Sequence, residues 1–262
     1  MPIPSFTDGR NSTRLLSGSN GYLLLKRYTR MARPTWGEWA AASFTRWTRP
    51  AMRPCCTPLR TEPTAGIPGA LSSGTPQGNL FGTAAGGGQY GYGVVFKVGA
   101  LGNETVLYSF TGGADGGGPY AGLVMDSSGN FYGTTYVGGG TANGEGYGVV
   151  YKLDRAGNET VLYTFASLSD GGNPYSGVVL DSEGNVYGAT YWGGAVSKGS
   201  SGGGVVYRVD TSGNETILHA FTGGSAGALV PGGLLRTSNG DLYGGTTRGG
   251  DGGHGVMFRL SP

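Results

Sequence analysis

The residues of this chain that could do chemistry are few and far apart. The chain has two histidines, His219 and His254, and two cysteines that are adjacent in the stretch "AMRPCCTPLR" at 51–60. A metal centre needs several ligands in one place, and acid–base catalysis needs a pair of titratable groups. Adjacent cysteines supply neither a second ligand pair nor a strain-free disulfide. The sequence therefore predicts no catalytic residue, no metal site and no cofactor, and hence no enzyme.

The acidic residues sit where turns are expected. Three of them occupy turn positions in successive segments, where aspartate bonds its own backbone: Asp126, Asp181 and Asp210. Asp115 and Asp170, in "ADGGGP" and "SDGGNP", either line a rim or cap their loops, and capping is the simpler interpretation.

The two histidines have equally plain interpretations. His219 replaces a tyrosine of a recurring pattern in "ILHAF", so we expect it to be a strand residue. His254, in "GGDGGHG", is expected to be a solvated loop residue.

Two compositions are joined in one chain. Residues 1–77 carry ten Lys/Arg against three Asp/Glu, whereas residues 78–262 carry eight against thirteen and hold 49 of the 56 glycines. No apolar run reaches the length of a membrane span. Clustered arginines, as in the first part, are typical of a nucleic-acid-binding arm. Glycine- and valine-rich codons also yield arginines and prolines when they are read out of frame, so no nucleic-acid partner is predicted.

Residues 78–262 repeat at intervals of 51 to 56 residues. One motif recurs four times, as "GNLFGTA" at Gly78, "GNFYGTT" at Gly129, "GNVYGAT" at Gly184 and "GDLYGGT" at Gly240. Each unit contains four short runs of β-branched and aromatic residues bounded by turn residues, for example "AGLVMD", "NFYGTTY", "GVVYKLD" and "ETVLYTF". Four strands in about fifty residues are typical of one blade of a β-propeller.

The motifs also resemble a known family. The pattern "GNFYGTT…GVVYKL…GNETVLYTF" is similar to the GloVer (Gloeo_Verruco) tandem repeat of bacterial extracellular proteins, over essentially all of 78–262. The resemblance implies an extracellular or cell-surface setting, a variable anchor and no established activity. Neither a signal-peptide pattern nor an anchor pattern is recognisable in the sequence, so we expect this chain to lack both.

The odd cysteine stretch is explained by codons. "GNETVLYTF" can be encoded by GGC AAT GAG ACC GTG CTG TAC ACC TTT. If translation of these bases starts one base later, and the codon after TTT begins with G, the product is "AMRPCCTPL". A typical repeat sequence shifted in this way reproduces all 27 residues from Ala40 to Gly66. Because the first two bases of most codons are fixed, we interpret residues 24–76 as an out-of-frame translation of a blade.

These observations predict an all-β, propeller-like array that is incomplete and open. Residues 1–77 are expected to be irregular and mostly disordered, and residues 78–262 to form about three and a half repeats. The last repeat lacks its "ETVLYTF" strand, which "IPSFTDG" at 3–9 resembles and could complete.

A candidate ligand-binding site follows if the "GNFYGTTYVGG" strand is innermost. The residues at its end would then surround the channel mouth, and the candidates are Tyr136, Tyr191, Trp192 and Arg248. Aromatic side chains with few polar partners can stack on a sugar ring, and an arginine can hold an anion. The alternative, that they are packing and surface residues, is favoured by how common such residues are on surfaces.

The expected function is a non-catalytic extracellular propeller with a surface glycan or protein as its partner, or a frameshifted copy without function. One alternative is a carbohydrate- or peptide-binding module at the channel mouth. A second is an enzyme of the propeller lyase or lactonase kind, which two distant histidines disfavour. The fold alone does not choose among them.

Overall fold

The computed structural model describes residues 13–17, 23–27, 68–140, 146–194 and 202–262, with side chains from residue 75 onwards. The chain divides into two compact units, Met1–Met52 and Arg53–Pro262. In the described part of the first unit, β1 (Thr13–Ser17) and β2 (Leu23–Arg27) form an antiparallel pair.

The described part of the second unit contains four antiparallel sheets. Sheet I consists of β3 (Pro68–Gly74), β4 (Leu80–Ala84), β5 (Val94–Val98) and β6 (Glu104–Ser109). Sheet II consists of β7 (Val124–Met125), β8 (Phe131–Thr135), β9 (Val149–Leu153) and β10 (Glu159–Thr164). Sheet III consists of β11 (Val179–Leu180), β12 (Val186–Ala189), β13 (Val205–Val209) and β14 (Glu215–Ala220). Sheet IV consists of β15 (Leu235–Arg236), β16 (Leu242–Gly245) and β17 (Met257–Leu260), and the connection from β14 includes a 3₁₀ turn at Gly224–Ala226.

Each sheet is an up-and-down meander in which consecutive strands pair. Asn- and Gly-containing turns with short loops allow this order, because antiparallel strands need only a tight connection. The third and fourth strands of sheets I to III pair with one register shift each, for example between Val161 and Tyr163. The predicted all-β class and the four-strand pattern are confirmed, although the first strand of sheets II to IV is only two residues long.

The core lies between successive sheets. A phenylalanine that follows the fourth strand of one sheet packs against the third-strand aromatic of the next. The ring centroids are 5.0 Å apart for Phe110 and Tyr151, and 5.3 Å apart for Phe165 and Tyr207. All four side chains are almost completely buried. Burial of aromatic area at each junction therefore stabilises one repeat on its neighbour.

One glycine at the end of sheet II lies where no side chain would fit. Gly148, just before β9, has φ 92°, and a Cβ there would lie 2.1 Å from the carbonyl oxygen of Thr135. Its own carbonyl accepts the backbone N–H of Phe165 at 3.1 Å. Gly148 thus lets three backbone segments meet at the end of sheet II.

The structure differs from the sequence prediction at residues 68–74. These residues were assigned to the irregular segment, but they form β3 and pair with β4. A strand can add to a sheet edge through backbone hydrogen bonds alone, so an altered side-chain pattern does not prevent pairing. Most of the remaining segment, including Cys55 and Cys56, lies outside the described residues, and its out-of-frame origin stays a prediction.

The "GNFYGTT" strand is not the edge strand of its sheet. In sheet II the short strand β7 forms the edge and β8 is second. The short first strands approach one another between sheets, with β3 beside β7 and β11 beside β15. The channel-mouth prediction assumed that the "GNFYGTT" strand is innermost. This assumption is wrong, because the "AGLVMD" segment pairs on the other side of β8.

Candidate functional site

Five aromatic residues from two repeats form a continuous group at one end of sheets II and III. We call this group the aromatic ladder: Tyr120, Tyr136, Tyr175, Tyr191 and Trp192. Tyr120 and Tyr175 are stacked, with centroids 4.9 Å apart and planes 17° apart. Tyr136 meets both edge-on, at 5.5 and 5.9 Å. Tyr191 lies 6.2 Å from Tyr175 and 4.9 Å from Trp192.

The repeat itself positions the ladder. Tyr120 and Tyr175 follow prolines in the loops before β7 and β11, and Tyr136 directly follows β8. The loops are joined by hydrogen bonds: the Asn173 side-chain amide donates to the carbonyl of Tyr136 at 2.8 Å. The Tyr191 amide donates to the carbonyl of Asn173 at 3.3 Å. One hydrogen bond between the repeats and one within the second repeat thus help to fix the rings relative to one another.

Three of the four predicted site residues belong to the ladder, namely Tyr136, Tyr191 and Trp192. The fourth, Arg248, is exposed, and the cation–π contacts of the described ranges join other pairs, Lys152 with Tyr132 and Arg236 with Tyr187. The sequence prediction missed Tyr120 and Tyr175. The signal for them was the recurring Pro-Tyr pair in "PYAG" and "PYSG", which had been assigned only to the start of a strand.

Four tyrosines outside the ladder illustrate a different role. Their hydroxyls donate to aspartates of their own repeat, and the pairs are Tyr108–Asp115 at 3.0 Å, Tyr163–Asp170 at 2.9 Å, Tyr132–Asp126 at 3.1 Å and Tyr187–Asp181 at 3.1 Å. Burial raises the pKa of all four phenols, and the bonded aspartate adds to this. By contrast, within the residues that the structure describes, no ladder hydroxyl has a hydrogen-bond partner.

The turn aspartates behave as predicted. Asp126 accepts the Asn130 backbone N–H at 2.9 Å and the Asn130 side-chain amide at 2.8 Å. Burial raises the pKa of Asp126, but these hydrogen bonds outweigh it and the net pKa is lowered. Asp181 is held in the same way by Asn185. These carboxylates hold turns together and are not free for acid–base work.

The loop aspartates and the histidines also have structural roles. Asp115 accepts the Thr111 amide at 2.8 Å and the Thr111 hydroxyl, so it caps its loop as expected. His219 lies in β14 and meets Phe221 edge-on at 4.6 Å, as tyrosines do in the preceding repeats. His254 is an exposed loop residue.

Two glutamates at the junctions between sheets are chemically unusual. One carboxylate oxygen, Oε1, is buried without a hydrogen-bond partner in both Glu159 and Glu215. Burial, and then the charge of Asp115, raise the pKa of Glu159 to about 7. Burial, and then Asp170, do the same for Glu215. No sequence signal distinguishes these glutamates, since each is simply the first residue of an "ETVLYTF"-type strand.

One groove lies between sheets I and II, at the end opposite to the ladder. It has a volume of about 420 Å³ and is lined by Phe81, Phe131 and Leu107 together with Lys97 and Arg155. In the described ranges, no three His, Cys, Asp or Glu side chains are grouped to hold a metal ion. The same part of the chain has no helix long and apolar enough to cross a membrane.

Comparison with known families gives one assignment. The signature of the Gloeobacter/Verrucomicrobia repeat matches residues 67–262. The chain belongs to this family. The resemblance found in the motifs is thereby confirmed, and the match begins beside β3, eleven residues before the predicted boundary at Gly78. No curated protein sequence matches the chain.

Several solved structures are weakly similar. One is a putative gluconolactonase (14% identity, 72% of this chain and 62% of that chain, TM-score 0.43). Another is a luciferin-regenerating enzyme (16% identity, 74% and 60%, TM-score 0.43). A third is a gluconolactonase from Xanthomonas campestris (14% identity, 72% and 60%, TM-score 0.43). The chain therefore spans about 60% of the length of these structures.

This comparison corrects the expected function. A non-catalytic surface module was predicted, whereas the three structures just described are named as a putative gluconolactonase, a luciferin-regenerating enzyme and a gluconolactonase. The expectation was wrong because it rested on the shortage of histidines and clustered carboxylates. At a TM-score of 0.43 the likeness nevertheless gives this chain no activity or substrate.

Proposed function

We propose that this family member is a ligand-binding protein and that the aromatic ladder binds a ligand with a flat or ring-shaped, uncharged face. The observation that carries the proposal is the stacked pair at its centre. Tyr120 is 37% and Tyr175 is 44% exposed, although burial of either aromatic ring would remove a large apolar area from water. A contiguous exposed aromatic group is typical of a surface that another molecule covers.

The contrast with the other tyrosines supports this function. Tyr132 and Tyr187 have hydroxyls that are engaged by aspartates of their own turns. The ladder tyrosines hold their rings together through ring contacts and leave their hydroxyls for solvent or a ligand. Rings that are fixed in advance lose little conformational entropy on binding, and their hydroxyls can orient the ligand.

The test is a calorimetric titration with uncharged ring compounds, from caffeine, a flat heteroaromatic, to cellohexaose, a soluble saccharide. The protein should bind at least one of them, and replacing both Tyr120 and Tyr175 by alanine should weaken binding by about tenfold or more. Tyr90→Ala is the matched control, because Tyr90 is 51% exposed and lies outside the ladder. No saturable binding across the panel, or equal loss in the control, would exclude the proposal.

We further propose that sheets I to IV are successive blades of a β-propeller whose ring is incomplete. The face-to-face packing of each sheet on the next supports this, as do the short first strands that approach one another. Small-angle X-ray scattering should give the profile of an open arc, and the profile of a closed ring would contradict it.

Membership of the family supports an extracellular location. Fractionation of the producing cells tests this, since the protein should appear in the medium or at the surface. The proposal assigns no reaction to the chain.

A further inference from the structure

A second cavity lies at the end of the sheets opposite to the ladder. It has a volume of about 580 Å³ and is formed by β7, β11, β15 and the turns that follow them. This volume is within the usual range for small-molecule sites. The ladder begins beyond the last residue of β8, whereas this cavity lies beside the turn that precedes β8, so the two sites are separate.

The wall of the cavity is partly apolar. Met125, Leu180 and Leu235 line it, one from each of three successive sheets. Met125 is 37% and Leu235 is 64% exposed, which is unusual for side chains of this type at the edge of a sheet. An apolar ligand would remove this surface from water.

Among the residues that line this cavity, Arg236 is the one cation. Arg236 occupies the position that Met125 and Leu180 hold in sheets II and III, since all three pair with the second strand in the same register. Its guanidinium lies over the ring of Tyr187, 5.4 Å from the centroid. Its Nε is buried without a hydrogen-bond partner. Across the described ranges the one ion pair joins Arg259 to Asp241, so Arg236 has no carboxylate of its own.

The acids around the cavity do not replace that missing partner. Asp126 and Asp181 line it, but both oxygens of each accept hydrogen bonds within their own turns. Glu183 accepts one bond from the Asn185 amide, at 3.4 Å. Three carboxylates would repel a multiply charged anion such as a phosphate ester. Among anions, a ligand with one negative charge is repelled least, and the planar guanidinium of Arg236 suits a carboxylate best.

We propose that this cavity binds a small amphiphilic carboxylate, with the carboxylate on Arg236 and the apolar body on Met125, Leu180 and Leu235. The site is independent of the aromatic ladder and contains none of its residues. It takes a different class of ligand, because the ladder offers ring faces and this cavity offers one cation beside aliphatic side chains.

The experiment titrates the full chain with octanoate, followed by NMR or calorimetry. Octanoate should bind saturably, and Arg236→Leu should weaken it by about tenfold or more, because a charge-assisted bidentate pair is lost. The variant should fold, since leucine already occupies the equivalent position at Leu180. The control is Arg248→Leu, because Arg248 is exposed and does not line the cavity, and it should change the affinity by less than about twofold.

Two further measurements separate the two halves of the site. Octanamide, which has the same chain without the charge, should bind wild type and Arg236→Leu equally weakly. Leu235→Ser should weaken octanoate binding while leaving the fold intact, because this side chain is already largely exposed. No saturable binding of octanoate, or equal binding by wild type and Arg236→Leu, would overturn the proposal.

Discussion

At the scale of single residues, tyrosine has two roles that differ in what its hydroxyl meets. Tyr108 and Tyr163 bond to aspartates of their own repeat and serve the fold. Tyr120 and Tyr175 are stacked and partly exposed, and they serve, in our proposal, a ligand. The difference arises because the first pair lies within strands that face the next sheet, whereas the second pair lies in loops at the end of the sheets.

The junction glutamates make stability depend on pH. Glu159 faces Asp115 and Tyr108 of the preceding sheet and Tyr151 of its own. Its pKa rises from 4.5 to about 7 on folding, so the folded state favours the protonated form. Its stabilising contribution is complete below the unfolded pKa and is lost as the pH rises through about 7. Glu215 adds the same dependence at the next junction.

The corresponding prediction is that Glu159→Gln combined with Glu215→Gln flattens this part of the pH profile. Urea unfolding at about pH 5 and about pH 8 measures it. Wild type should lose stability between the two values, and the double variant should lose less. Glu104→Gln is the control, because Glu104 holds the equivalent place in sheet I. Parallel profiles for wild type and the double variant would contradict the prediction.

At the scale of elements, a glycine in the second strand pairs with an aromatic residue in the third. Because the glycine has no side chain, the aromatic ring can lie close to the second strand. Gly133 pairs with Tyr151, and a Cβ on Gly133 would lie 2.6 Å from the Tyr151 hydroxyl oxygen. Gly188 stands in the same relation to Tyr207, and Gly244 to Phe258. The central glycine of "YGTT", "YGAT" and "YGGT" therefore has a packing role.

Gly133→Ala should lower the free energy of unfolding by about 1–3 kcal/mol, because overpacking displaces a buried ring. Chemical denaturation measures the loss. The matched control is Gly232→Ala, where a Cβ would meet nothing within 4 Å, and it should change stability by less than about 0.5 kcal/mol. If both variants were equally stable, the close approach would have no energetic consequence.

At the scale of the whole molecule, the boundary of the repeat array depends on β3. The family match and the strand both begin at residues 67–68, not at Gly78. Without β3, the edge of β4 would expose unpaired backbone groups, which promote aggregation.

A chain that begins at residue 68 should therefore be more stable, and less prone to aggregate, than one that begins at residue 78. Urea unfolding and size-exclusion chromatography compare the two directly. Both variants lack residues 1–67, so any difference reports on the strand and the turn that follows it. Equal behaviour of the two chains would restore the boundary at Gly78.

The gene supplies the remaining test at this scale. Resequencing the DNA that encodes residues 24–77 should reveal a hidden "GNETVLYTF" in the shifted frame under "AMRPCCTPLR". If a fresh sequence has a different base count there, the blade is intact in the organism. If the bases encode no such motif, the out-of-frame interpretation is wrong.

The repeat, its family, its turn aspartates and the strands from Gly78 onwards could be predicted from the sequence. These are local features, since a strand pattern with Asp, Asn and Gly at fixed offsets specifies a hairpin without help from distant residues. Even His219 was placed correctly, because the repeat supplies the tyrosine with which to compare it.

Only the tertiary structure decided which residues of different repeats meet. Tyr120 and Tyr175 are 55 residues apart in the chain, and they stack because sheets II and III lie side by side. Arg248 was grouped with them by repeat position, but the cation–π contacts of the described ranges join other pairs. The raised pKa of Glu159 and the unpaired, buried Nε of Arg236 likewise depend on burial by neighbouring sheets. Such burial is a property of packing that no single repeat contains.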